Sequence, residues 1–169
     1  GLDLDADLRP EGRSGPLVRS LSSCLTYYSR WSSTWESQAL VRARHGAGDR
    51  ELTGALLASM DRLRWPAAGL SPSQCTEIRR LKARMEDERV RRGSDRRMNL
   101  KMGPGGLADV EWTVQLMQMR FGARLPQLRT TSTLEALSAA RAADLMTPDQ
   151  YEDLRVAWLG ASALRNAIM

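Results

Sequence analysis

The sequence predicts a mainly α chain, a helical bundle preceded by a single strand, and three observations carry that expectation. Apolar residues recur at intervals of three and four through most of the 169 residues, which lines them up along one side of successive helices. Helix-start signals punctuate the second half: Ser71-Pro72-Ser73-Gln74, Ser132-Thr133-Leu134-Glu135 and Thr147-Pro148-Asp149-Gln150. Each offers a hydroxyl to the backbone three residues on, and a side chain there that can reach back. Only one stretch, residues 2–9, alternates with the period of two that a strand requires.

In that stretch Leu2, Leu4, Ala6 and Leu8 share one face, and Asp3, Asp5, Asp7 and Arg9 share the other. Neighbouring carboxylates repel, so their face calls for a counter-charge such as a divalent metal ion, or for free access to water. A short solvated edge strand stopped by Pro10 satisfies the same pattern, and both readings stand at this point. Arg9-Pro10-x-Gly12-x-x-Gly15 then turns, with proline fixing one dihedral and the glycines permitting backbone shapes that other residues resist. An arginine and a glycine-rich turn beside carboxylates suit a phosphate-and-magnesium site, because the metal bridges carboxylate and phosphate oxygens. Gly1-Leu2-Asp3 reads as a strand already in progress. A lone strand can neither satisfy its backbone nor bury its apolar face, so the expectation is a piece of a longer polypeptide whose other strands lie outside this sequence.

Helical spacing predicts a helix over residues 20–30 through Leu21, Leu25 and Tyr28, and a second over 33–44 with Trp35, Ala39, Leu40 and Ala43 on one side. On the second, Gln38, Arg42 and His45 occupy neighbouring turns and read as an ordinary solvated face. His45 is the only histidine and has no ligand pair nearby, which argues against a metal role. Gly46-Ala47-Gly48 breaks the helix, and Asp49 caps a third that turns Leu52, Leu56, Met60 and Leu63 inward. Residues 66–69 form the best candidate boundary, giving units 1–66 and 71–169.

The helix from Pro72 to about Arg92 turns Ile78, Leu81 and Met85 inward and a dense arginine and glutamate surface outward, and it offers no site. Residues 93–97 read as a polar loop. From Asn99 a glycine-rich turn runs directly into a helix with Val110, Val114, Met117 and Phe121 at helical spacing. Lys101 beside that turn resembles an anion cradle. Asp109 and Glu111 fall in the first turn of the helix, where the dipole favours carboxylates and where they would repel phosphate. An anion site and a dipole-complementing helix start both stay open, and the residue order is not that of a P-loop. Two more helices follow, the last through Leu154, Trp158, Leu164 and Ile168.

Composition narrows the function classes. No apolar run approaches a membrane span and no signal segment opens the sequence, so a soluble cytoplasmic protein without a membrane partner is expected. Cys24 and Cys75 lack metal-ligand spacing and read as reduced structural thiols. Of the 25 basic residues only Lys82 and Lys101 are lysine, and the net charge is +5. The basic residues are interleaved with acids along the helices instead of forming a block, so nucleic acid is not the expected partner.

Three separated tracts, in order, resemble one family. They are Leu4-Asp5-Ala6-Asp7-Leu8-Arg9-Pro10-x-Gly12-x-x-Gly15, then Thr34-Trp35-Glu36-x-Gln38-Ala39-Leu40-Val41-Arg42-Ala43-Arg44, then Leu100-Lys101-x-Gly103-x-Gly105-Gly106-Leu107-Ala108-Asp109-Val110-Glu111. The family is glutamine synthetase adenylyltransferase, a cytosolic bacterial enzyme whose two halves each join a polymerase-β-like nucleotidyltransferase core to a helical bundle. The resemblance implies that residues 1–66 hold the last strand and flanking helices of such a core and that 71–169 form the bundle. It further implies AMP transfer from ATP to a tyrosine of glutamine synthetase, regulating nitrogen assimilation. Asp5 would be the third catalytic carboxylate, ligating Mg2+ in a two-metal site, and Arg9 would support the phosphates. Asp3, Lys101, Asp109 and Glu111 are additional candidates. Asp7 departs from the basic residue expected in many relatives. The family's Gly-Ser-Asp-x-Asp tract does not occur here, so the expectation is that this chain alone is inactive. The second tract resembles the transferring half more than the phosphorolytic, AMP-removing half. The phosphorolytic half remains the alternative, as does a non-catalytic module that docks glutamine synthetase or a PII signalling protein.

Overall fold

The computed structural model describes residues 5–89 and 98–168. Among them seven α-helices follow in order: α1 (Leu21–Arg30), α2 (Thr34–Leu40), α3 (Arg50–Arg64), α4 (Pro72–Arg89), α5 (Leu107–Phe121), α6 (Thr133–Ala142) and α7 (Pro148–Ile168). Single 3-10 turns lie at Gly12–Ser14 and Pro126–Leu128.

The strand expected over residues 2–9 does not form among the described ones. Residues 5–6 are irregular and the chain turns from Asp7 onward. The Asp7 N–H donates to the Asp5 carboxylate at 2.7 Å. With no neighbouring strand to pair with, a short-range side-chain acceptor takes the backbone donor. Ala6 and Leu8, expected on a core-facing side, stand exposed. Leu2, Asp3 and Leu4 lie outside the described residues, as does the 93–97 loop.

Most helix starts follow their signals. Asp49 accepts from the N–H groups of Glu51 and Leu52 at 2.8 and 3.0 Å. Ser71 and Gln74 exchange reciprocal bonds, and so do Thr147 and Gln150. The box at Ser132 is only half made: its hydroxyl accepts from the Glu135 N–H, but the Glu135 carboxylate turns to Thr130. Helix α2 is shorter than the spacing suggests. After Leu40 the N–H groups of Arg42 and Ala43 bond three residues back, a tightened last turn that places Val41 in the core and Arg42 at the surface.

Two apolar clusters meet on α5. The first joins Val110 and Val114 to Leu128, Ala136, Leu137, Ala140 and Met146, with Leu154 and Trp158 of α7 packed against it. The second gathers Val41, Trp65, Ile78 and Met119, one each from the end of α2, the end of α3, α4 and α5. Apolar side chains on two sides of α5 make it the central helix. Gly122 ends α5 where the Trp65 ring needs room: a Cβ there would lie 2.8 Å from a ring carbon and 2.5 Å from the Gln118 carbonyl oxygen. Four expected inward residues are instead exposed: Trp35 and Leu52 in the first half, and Leu164 and Ile168 at the end of α7. Each lies on the apolar stripe of its helix, Trp35 bordering a pocket with Tyr28 of α1 and the other three open at the surface.

Candidate functional site

The Asp5 carboxylate is exposed at the head of a turn whose other charged groups are engaged. Asp7 pairs with Arg13 at 2.7 Å. Arg9 donates from Nε to the Gly15 carbonyl at 3.1 Å, and from its two Nη atoms to those of Ala6 at 2.8 Å and Arg13 at 3.3 Å. One guanidinium thus ties three carbonyls of one loop. The turn depends on backbone that few residues tolerate. Glu11 and Gly12 both sit in the left-handed region, at φ 66° and 55°. A Cβ on Gly15 would fall 2.1 Å from the Pro10 carbonyl oxygen. Beside the turn, Leu8, Trp35, Tyr28 and Arg42 line a pocket of about 250 Å³. Burial there pushes the Tyr28 phenol up to about 12, so it stays protonated at neutral pH.

The second and third tracts, far apart in sequence, come together. Gln38 is buried, and its Nε2 donates to Gln115 Oε1 on α5 at 2.7 Å. Arg42 pairs with Glu111. Glu36 accepts the Tyr27 hydroxyl and the Ser33 N–H, each at 2.8 Å, fixing α2 to α1. The expected solvated face of Gln38 and Arg42 is therefore the seam between the first helices and the bundle. Sequence periodicity could not reveal it, because the partners lie 69 and 77 residues away.

In the glycine-rich turn, Asn99 accepts from the N–H groups of Lys101 and Met102, and Asp109 accepts from that of Gly105 at 2.7 Å. Asp109 also pairs with Lys82 on α4, which pairs in turn with Glu86. Burial alone would lower the Lys82 ammonium, but the hydrogen bonds it donates to Asp109 and Glu86 outweigh that and hold Lys82 above its ordinary value. Lys101 is exposed. Asp109 thus serves the start of α5 and clamps it to α4.

Among the described residues no group of three His, Cys, Asp or Glu side chains could hold a metal ion. Asp5 offers one hard, solvent-open carboxylate, which suits a single position in a magnesium shell and no more. Sequence reasoning gave α4 no site, yet α4 and α5 flank a cleft of about 670 Å³. Its signal was present in the helical spacing of Cys75, Ile78, Arg79 and Lys82.

Comparison with known proteins adds sequence relatives to this geometry. Residues 2–59 match the family model described as Glutamate-ammonia ligase adenylyltransferase, and residues 79–169 match that described as GlnD PII-uridylyltransferase. The chain is 63% identical over 98% of its length to a bifunctional glutamine synthetase adenylyltransferase/adenylyl-removing enzyme of Cutibacterium acnes. Proteins of the same description are 55% identical over 98% of it in Streptomyces coelicolor and 53% identical over 99% in Mycolicibacterium smegmatis. The chain spans 17% of the length of each of these relatives.

Proposed function

For a chain that belongs to the GlnD PII-uridylyltransferase family through residues 79–169 and, over nearly its whole length, to the bifunctional glutamine synthetase adenylyltransferase/adenylyl-removing enzymes, we propose a part in AMP transfer from ATP to a tyrosine of glutamine synthetase. Residues 1–66 end a nucleotidyltransferase core and 71–169 are the bundle that carries it. The observation that carries this reading is the solvent-open Asp5 carboxylate at the head of a turn locked by Arg9. Asp5 would help hold a magnesium ion, whose Lewis-acid chemistry would stabilise phosphate charge and ease deprotonation of the tyrosine hydroxyl. Asp5 supplies one oxygen to it. The other carboxylates come from the family's Gly-Ser-Asp-x-Asp tract, outside this sequence. Arg9 keeps Asp5 in place by fixing the loop, and supports the phosphates from that position. The alternation of Leu2, Leu4, Ala6 and Leu8 gives a strand once partner strands supply its ladder.

The transferring half is favoured by the Thr34-Trp35-Glu36 tract over the phosphorolytic half, which would run the reverse chemistry on the same carboxylate. The protein works in the cytoplasm. A docking role for the bundle, toward glutamine synthetase or a PII protein, has one observation in its favour, the open cleft between α4 and α5.

The test is Asp5→Asn in the full-length protein. AMP incorporation into glutamine synthetase should fall by roughly 10²–10³-fold, as when a charge-stabilising group is removed from a transition state, with the melting temperature unchanged. Undiminished transfer would remove Asp5 from the site. Phosphate-dependent removal of the AMP group as ADP that falls while transfer stays intact would assign the chain to the phosphorolytic half. The isolated chain should transfer no AMP.

A further inference from the structure

Helices α4 and α5 face each other with matching stripes but do not close. On α4, Cys75, Ile78, Arg79 and Lys82 recur at helical spacing, and on α5 the facing stripe runs from Asp109 to Phe121. Between them lies the cleft of about 670 Å³, and Thr113, Met117 and Leu145 continue it into a furrow of about 420 Å³ toward α7. The floor is apolar, with Ile78 buried and Trp112 and Leu116 partly so. The length available along α5 is about 18 Å at 1.5 Å per residue, three turns of a helix. That volume and shape exceed what one side chain fills and match the groove that an amphipathic helix enters with its apolar side.

The charges facing the cleft decide what kind of helix. Asp109 is matched by Lys82, which closes one end. Arg79, about one turn from Lys82, and Arg120, at the far end of α5, both line the cleft exposed and without an acidic partner among the described residues, Arg120 lying over the Phe121 ring. Asp153 faces the furrow on the α7 side. The unmatched charge beside the apolar floor is therefore positive.

We propose that the α4–α5 cleft docks an amphipathic helix of a partner protein, leucine-like on one side and acidic where it passes Arg79 and Arg120. The inference deepens the docking role of the bundle and does not depend on AMP transfer.

The experiment uses a fluorescein-labelled 14-residue peptide with leucines at positions one, four, eight and eleven and glutamates elsewhere, and its twin with lysines in place of the glutamates. Anisotropy with the 169-residue chain should show the glutamate peptide binding at least tenfold more tightly than the twin. R79E/R120E, at two exposed positions, should abolish that preference without changing the melting temperature. Cys75 in the cleft should alkylate at least fivefold more slowly with the glutamate peptide present, while Cys24 on α1 keeps its rate. Absence of binding, equal binding of both peptides, indifference to R79E/R120E, or unprotected Cys75 would each overturn the inference. So would a cleft closed by a second copy, seen as concentration-dependent dimerisation that R79E/R120E abolishes. Purified glutamine synthetase that still co-sediments with R79E/R120E would preserve the docking role while removing the cleft from it.

Discussion

The helices α5–α7 and the segment before α4 are built on different principles. The first unit encloses its own core: Leu128, Leu137 and Ala140 are fully buried, and α6 and α7 each contribute to the cluster on α5. In the second, Met60 and Tyr28 are buried, but Leu8, Leu17, Val18 and Trp31 stand more than 60% exposed. That segment also carries Asp5 and the strained turn. The contrast is one of degree: the bundle has a buried core although α7 leaves Leu164 and Ile168 exposed, while the first segment leaves several of its large apolar side chains open and the Asp5 carboxylate exposed. Residues 5–9 are the extreme case, since they continue a strand-like pattern while the Asp7 N–H bonds locally to the Asp5 carboxylate.

The largest effect that could break this contrast is a cavity in the bundle. Leu137→Ala, at a fully buried position, should cost about 3 kcal/mol in urea denaturation, within the 2–5 kcal/mol such truncations remove. If it costs less than 1 kcal/mol, the α5–α7 core is not what holds the chain. Next comes the seam. Gln115→Ala leaves the buried Gln38 Nε2 without its acceptor, beside an Oε1 that already has no partner, at a cost of roughly 1–3 kcal/mol. Gln38→Leu with Gln115→Leu should be far milder than the single change, because no polar atom is then stranded.

A smaller effect belongs to the clamp between α4 and α5. Lys82→Met should destabilise by about 1 kcal/mol or less at neutral pH, given its partly exposed site. Because Lys82 is raised above its ordinary 10.5, its contribution is fully present below that value and disappears as the pH rises through the raised one. The difference between wild type and Lys82→Met should therefore be constant from pH 6 to 9 and shrink above pH 10.5; a difference that grows with pH would contradict the pairing. The smallest effect should come from the open surface: Leu52→Ser on α3 should shift stability by no more than about 0.5 kcal/mol. A large loss there would mean that the first segment has a core of its own after all.

Where short-range physics decides, the sequence was legible. Asp49, Ser71-Gln74 and Thr147-Gln150 start helices within a residue of their signals, since each cap needs partners only three residues away. The core positions Val110, Val114, Ile78 and Met60 followed from spacing alone. What spacing could not show was which apolar stripe finds a neighbour. Trp35, Leu52, Leu164 and Ile168 have the right period yet stay exposed. The Gln38–Gln115 and Arg42–Glu111 contacts were hidden for a related reason: a polar residue on a helix surface looks solvated until the tertiary partner is known. At the candidate site, the carboxylate and the glycine turn were visible as residue types, but Arg9's three bonds to its own loop were not, because they depend on the left-handed backbone at Glu11 and Gly12.

Gly15 gives that loop an unusual vulnerability. The Pro10 carbonyl occupies the space any β-carbon would need, and the Gly15 carbonyl is one of the three that Arg9 gathers. A single methyl at this position would prise the two ends of the turn apart and swing the acidic head away from its bearing. An alanine allele there would resemble Asp5→Asn in its effect on the proposed magnesium site, though the residue bears no functional group and the bundle would melt as before.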